Sequence, residues 1–290
     1  MINFMRFKNL YFLISLVFLI PSIYSILAYG FKSSVEFTGG TEVRFTIQNS
    51  RFEGDTEGFI KEVLDEIGII DPKVSTNNGI YKFESRPVTQ DRYENFKTRI
   101  KEVAGEYNEI SFITIGPSVS SELITKTIFA IILAAGFIMI YVTWQFKDKM
   151  YGVAAISAMF HDTLILLGAY SLLGRFKGIS VDILFVTAVL TTLSFSVHDT
   201  IVVFDRIRES VRKNPKENFY NLVNKSVTET LTRSINNSMT IIFMLLSLFL
   251  LGGNTIKWFV FALLIGTVSG TYSSTFCAAP LLLLWKKFFK

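Results

Sequence analysis

The chain has 290 residues, 50% of them hydrophobic and 18% charged, with a formal net charge of +5. Soluble domains of this size carry about 25% charged residues, so this composition and a mean hydropathy of +0.41 point to a membrane protein. The basic balance comes from the loops between hydrophobic segments rather than from one basic face, which excludes nucleic acid as a partner.

Six long, nearly uncharged segments follow in order: Leu10 to Tyr29, Ile124 to Phe146, Tyr151 to Leu173, Ile183 to Phe204, Ile235 to Leu251, and Trp258 to Trp285. Each has at least about 17 residues, which at 1.5 Å per residue cross or nearly cross a hydrocarbon core of about 30 Å. The first follows Arg6 and Lys8 as a signal peptide would, but it is too long and lacks a small-residue cleavage site. It is therefore expected to be a retained anchor.

Lys and Arg are held on the cytoplasmic side of short loops. Arg6 and Lys8 precede the first span, Lys147 and Lys149 separate the second and third, and Lys286, Lys287 and Lys290 follow the sixth. The loop after the fourth span carries Arg206, Arg208, Arg212, Lys213, Lys216, Lys225 and Arg233, whereas only Arg175, Lys177 and Lys257 lie in the opposite short loops. Both termini are thus expected in the cytoplasm, with the stretch 31–122 outside. The expected organisation is 1–30 for the N-terminus and first span, 31–122 for one outer domain, and 123–290 for the remaining five spans, with a cytoplasmic loop at 205–234.

The outer stretch has its own periodicity. Alternation over Glu42 to Ile47 predicts a half-buried strand, and a helix follows from about Asp55 to Ile67. Strands near Lys73 to Thr76 and Ile80 to Glu84 flank Asn77-Asn78-Gly79, residues that accept the backbone of a tight hairpin. A helix over Thr89 to Val103 and a strand over Glu109 to Ile115 complete the βαββαβ order of a ferredoxin-like domain. In the cytoplasmic loop, Asn214-Pro215-Lys216-Glu217 has the form of a capping box and predicts a helix start. The apolar positions Phe219, Leu222, Val223, Val227 and Leu231 then form an amphipathic stretch expected to lie along the membrane surface.

An ionisable side chain within hydrocarbon costs about 3 kcal/mol even on insertion scales, so each one needs a partner, an aqueous cavity or a function. The third span contains His161 and Asp162, the fourth His198 and Asp199, and Arg233 stands at the entrance of the fifth. Thr192, Ser196 and Asp199 are spaced by four and three residues and share one helix face, which suits a path for protons or water. On the fifth span Arg233, Asn236 or Asn237, and Thr240 form a second polar stripe, so an Asp199–Arg233 pair is expected across these helices. Burial and a nearby Arg act in opposite directions on a carboxyl, and moving one against the other makes a proton switch; the same pair can also serve as a fixed salt bridge that sets register.

His161 and Asp162, as sequence neighbours, are expected to point in different directions, each bonding to a neighbouring helix. No His/Asp pair has the three- or four-residue spacing that aims two side chains at one ion, so no metal is expected. The lone Cys277 excludes an intrachain disulfide. Gly266, Gly270 and Ser273-Ser274 on the last span form a small-residue face suited to close helix packing. No nucleophile, phosphate loop or cofactor motif is present, and no enzyme activity or cofactor is expected.

Several strings taken in order resemble the SecF family along essentially the whole chain. They are Glu36-Phe37-Thr38-Gly39-Gly40-Thr41, Gly116-Pro117-Ser118-Val119 with Glu122-Leu123, His161-Asp162, and the diagnostic His198-Asp199-Thr200-Ile201-Val202-Val203-Phe204-Asp205-Arg206-Ile207-Arg208-Glu209. Leu231 to Ser238 and Gly270-Thr271-Tyr272-Ser273-Ser274 complete the set. The family usually has Asp at Glu36, Asn at His198 and Gly at Ser120.

The resemblance implies a subunit of the Sec protein-export system in the bacterial inner membrane. It would work with SecD beside the SecYEG channel and SecA- or YidC-type factors, using protons to act on unfolded polypeptide, with Asp199 and Arg233 coupling the proton. His161, Asp162, Thr192, Ser196, His198 and Asn237 would support them, and an acidic residue of SecD would complete the path. Two other functions fit the same plan: a half-size proton antiporter of the resistance-nodulation-division type, which would normally carry two copies of the repeat, and a passive assembly scaffold, which would tolerate neutral substitution at Asp199 and Arg233.

Overall fold

The computed structural model describes residues 3–48, 55–77 and 79–288. Asn78 of the expected hairpin turn and Lys290 of the basic C-terminus lie outside the described residues. Residues 33–128 form one compact unit and the rest of the chain the other.

In the smaller unit a short helix α2 (Val35–Thr38) leads into β1 (Gly40–Gln48), followed by α3 (Thr56–Glu66), β2 (Lys73–Asn77), β3 (Ile80–Ser85), α4 (Gln90–Ala104) and β4 (Glu106–Ile115). The sheet order is β2-β3-β1-β4 with every neighbouring pair antiparallel, the arrangement of a ferredoxin-like domain. Alternation along β1 sends Val43 and Phe45 to the helix-covered side, where they are fully buried with Phe83, Ile60, Leu64, Phe96 and Ile100. Glu42, on the opposite face, is also buried and is held by Arg44 at 2.6 Å and Lys82 at 2.8 Å. The register of β1 against β4 shifts between Arg44 and Phe45, a bulge that adds twist.

The glycine pair at the start of β1 has a steric reason. Gly40 has φ +134°, and a Cβ there would lie 2.5 Å from the Ser85 carbonyl oxygen, so no other residue fits beside β3. On α4, the Tyr93 hydroxyl donates to Glu109 Oε2 at 2.6 Å and lies 2.9 Å from the Tyr107 hydroxyl. Burial first, and then the Glu109 hydrogen bond, push the Tyr93 hydroxyl above its ordinary range. Burial likewise raises that of Tyr107.

The larger unit consists of long helices: α1 (Lys8–Tyr29), preceded by a 3₁₀ turn at Phe4–Phe7, then α5 (Pro117–Gln145), which belongs to it from Phe129 onward, α6 (Lys149–Lys177), α7 (Ile183–Lys213), α8 (Phe219–Leu251), and α9 (Lys257–Ser273), which continues through a π segment at Ser274–Ala278 into α10 (Ala279–Phe288). They provide six stretches long and apolar enough to cross a membrane. Close approach depends on small residues. A Cβ at Gly168 would fall 2.3 Å from Ser22 Cα, and across the same α1/α6 contact Ser25 donates to the Gly168 carbonyl and Ser171 to the Ser25 carbonyl.

The cytoplasmic loop expected at 205–234 is helical except around residues 214–218, because α7 and α8 both run beyond the apolar segments. Asn214 does not start a helix. It ends α7, its N–H bonded to the Ser210 carbonyl, while Pro215 to Glu217 form a turn closed by Glu217 N–H on Asn214 O. Asn218 is the residue with extended backbone at the next start, and its side chain caps the Tyr220 N–H at 2.9 Å. The apolar face of the amphipathic stretch, expected to rest on the membrane surface, is covered by the protein itself. Val223 and Val227 are fully buried in one cluster with Phe204 and Ile207 of α7, Ser226 bonds Ser210 at 2.8 Å, and Arg206 bridges to Glu229 at 2.6 Å. Its apolar face is therefore satisfied by an antiparallel neighbour. Met5 of the N-terminal turn packs into this cluster, and its N–H donates to Asn224 Oδ1 at 3.1 Å.

Candidate functional site

The polar centre of the bundle is Asp162, which has no solvent exposure. Its Oδ1 is 2.9 Å from His161 Nδ1 and accepts from Ser269 at 2.6 Å; its Oδ2 accepts from Ser196 at 2.6 Å and from Ser273 at 2.5 Å. His161 and Asp162 therefore bond to each other, contrary to the expectation that they diverge. Although their Cβ vectors are about 100° apart on the helix, α7 and α9 wall both sides, and the imidazole folds back onto the carboxylate. Four contacts from three helices satisfy a group that would otherwise be costly at this depth.

Ser269 and Ser273 were not singled out as polar ligands in the sequence. They sit one turn apart on the face of α9 that reads as a small-residue packing surface. It is one: a Cβ at Gly266 would lie 2.1 Å from Thr192 Oγ1, and one at Gly270 would lie 3.4 Å from Ser196 Cα. The signal available was that serines, rather than alanines, alternate with the glycines.

Thr192, Ser196 and Asp199 are all buried on one face of α7, as their spacing predicts. Asp199 is 3% exposed. Unlike Asp162, it is not saturated. Its Oδ2, together with Thr192 Oγ1, His161 Nε2 and Ser234 Oγ, is buried without a hydrogen-bond partner among the described residues. Such atoms are costly in a dry site unless the protein uses them.

Arg233 and Asp199 do not pair. Arg233 is exposed and forms no ion pair with any described residue. The cause is the rotation of α8: Ser234 and Ser238, spaced by four, take the buried face, and Thr271 donates to Ser238 Oγ at 2.7 Å. That leaves Arg233, Asn236, Asn237 and Thr240 on an exposed flank, and His198 is likewise exposed on α7. The sequence-derived residues thus fall into two groups, a buried one of His161, Asp162, Thr192, Ser196 and Asp199, and an outward one of His198, Arg233 and Asn237.

These features define a multi-pass membrane protein with ionisable groups inside its spans and a ferredoxin-like domain inserted between the first two. The family described as protein export membrane protein SecD/SecF, C-terminal, matches residues 95–288. The protein translocase subunit SecF of Thermobaculum terrenum is 40% identical, over 99% of this chain and 94% of the relative, and that of Haemophilus influenzae is 32% identical, over 95% and 83%. The crystal structure of SecDF, a translocon-associated membrane protein from Thermus thermophilus, aligns with a TM-score of 0.86 at 29% identity over 99% of this chain. This chain spans 39% of the length of that one. The chain belongs to the SecF family.

Proposed function

We propose that this chain is the SecF-type subunit of a Sec translocase accessory complex in the bacterial inner membrane. With a SecD-type half it uses the proton motive force to promote late steps of polypeptide export through SecYEG, alongside SecA- and YidC-type factors. The carrying observation is Asp199, a buried carboxylate with an unpartnered oxygen on a polar helix face. The lysine and arginine distribution supports cytoplasmic termini and an outer domain on the far side of the membrane. The role is one of conformational work, with no bond made or broken.

The exposed flank of α8 supports the need for a second half. Arg233 at the entrance of the span and Asn237 one turn further in would face lipid in the isolated chain, at a cost that rises to a few kcal/mol for a charge drawn into hydrocarbon. An acidic side chain of the SecD-type half answers that cost and completes the path between Arg233 and Asp199. Proton movement through a potential of about 150 mV supplies about 3.5 kcal/mol, enough to reweight two conformations by a few hundredfold. The outer domain follows that change, holding and releasing the emerging polypeptide.

The test is proton-dependent secretion of a precursor in cells or vesicles whose only copy is wild type, Asp199→Asn or Arg233→Ala, at matched membrane levels. Both variants are expected to assemble and to lose the proton-dependent step. Normal export by both would leave a passive scaffold as the function.

A further inference from the structure

We propose that Asp162 is a positioning residue of the coupling site: its carboxylate fixes the rotation of α7, and hence the placement of Asp199, and ties that placement to α9. The inference rests on the coupling role proposed above for Asp199 and adds the means by which a change there reaches the rest of the bundle.

The two buried carboxylates have opposite surroundings. Asp199 has an oxygen with no partner, whereas each oxygen of Asp162 has two. A group so fully engaged holds other groups in place; one with a free oxygen is available for exchange. Ser196 and Ser273 meet on the same oxygen, Oδ2, so α7 and α9 are joined through a single atom of α6. Ser269, one turn earlier on α9, takes the other oxygen, and the carboxylate therefore spans a full turn of that helix.

Ser196 lies three residues before Asp199 on the same face of α7. Rotating α7 far enough to redirect Asp199 must stretch the Ser196 hydrogen bond, and the Gly266 and Gly270 contacts leave α9 no slack to stay behind. Immediately after Ser273 the helix passes into the π segment Ser274–Ala278, a widened turn of the kind found frequently at functional sites. Asp162 thus grips α9 at the last residue before the point where its geometry changes. The titratable groups around Asp162 are His161 on its own helix, Asp199 on α7 and Cys277 on the π segment.

The experiment uses full-length protein with its native partners in vesicles, comparing Ser196→Ala, Ser273→Ala, Asp162→Asn and Asp162→Asn/Ser273→Ala, with Asp199→Asn run in parallel. The serine variants are expected at wild-type membrane levels, slowing the proton-dependent step by about tenfold, the loss of one charge-assisted hydrogen bond. They are also expected to move the pH at which that step is half-maximal. The double variant is expected to be no slower than Asp162→Asn alone, because the serine then has no carboxylate to hold. Serine variants with unchanged rate and pH profile would overturn the inference even if Asp162→Asn fails to assemble. Loss of the step in Asp199→Asn alongside unaffected serine variants would sink this inference alone, whereas full proton dependence in Asp199→Asn would remove the coupling role and this inference with it.

Discussion

In the ferredoxin-like unit the fully buried side chains are large: Phe45, Phe83, Phe96, Ile60 and Leu64, with Tyr93 almost so. In the bundle α6 and α7 bury large groups too, such as Met159, Tyr170 and Phe204, but set among them a run of small ones, Ala154, Ala155, Ala158, Ala188, Ser171 and Ser196. The difference follows from the solvent each unit is built for. In water, burying large apolar groups is itself the driving force. In lipid it is not, and helices associate through close approach and hydrogen bonds between small residues. The aromatic surface of α5, with Phe129, Phe137 and Trp144 exposed, belongs to the same logic, since it has no need to turn inward.

The strongest way to break this contrast is Phe96→Ala. It empties the centre of an aromatic cluster in which Phe96 lies 5.6 Å from the Phe45 ring and 5.0 Å from that of Phe83. A loss of about 3–5 kcal/mol is expected, read as faster proteolysis within residues 33–128 of the full-length protein while the spans remain protected. If the bundle melted as well, the two units would not be independent in stability. A smaller effect, about 1–3 kcal/mol, is expected from Gly168→Ala, which pushes α1 from α6; thermal denaturation in detergent checks it, and an unchanged midpoint would mean that the small-residue contact is not limiting.

The smallest expected effect sharpens the contrast through pH. Tyr93 and Tyr107 have raised hydroxyl pKa values in the folded domain, so the stabilisation they contribute is fully present below the unfolded value near pH 10 and is lost as pH rises through the folded values. Each costs about 1.4 kcal/mol per unit above pH 10 while the fold keeps it protonated. Hydrogen exchange in the outer unit between pH 9.5 and 11, at rates corrected for base catalysis, should therefore rise, and it should do so less in Tyr93→Phe. Equal slopes in the two proteins would show that the hydroxyl is not the titrating element.

The six spans and the βαββαβ order were legible because run length and period-two alternation are local properties. Asp199's face was legible for the same reason, since spacing along α7 fixes which residues share a side. What spacing leaves open is where that side points. Arg233 lies on a polar stripe as read, yet Ser234 and Ser238 rather than Arg233 face inward, because the rotation of α8 is set by packing against α7 and α9. The role of Ser269 and Ser273 was hidden for a related reason: a serine on a small-residue face reads as packing until the carboxylate opposite is known. Asn214 misled because Asn suits both a helix end and a helix start, and only the extra length of α7 decides between them.

The buried Met5, whose N–H is held by Asn224, bears on biogenesis. These partners are 219 residues apart in sequence, so the N-terminal turn has no docking site until most of the chain has been made. At roughly 5–20 residues per second, synthesis takes on the order of ten to forty seconds to reach it. Until then the N-terminal turn lacks the Asn224 side chain that holds it and the α8 residues that cover Met5.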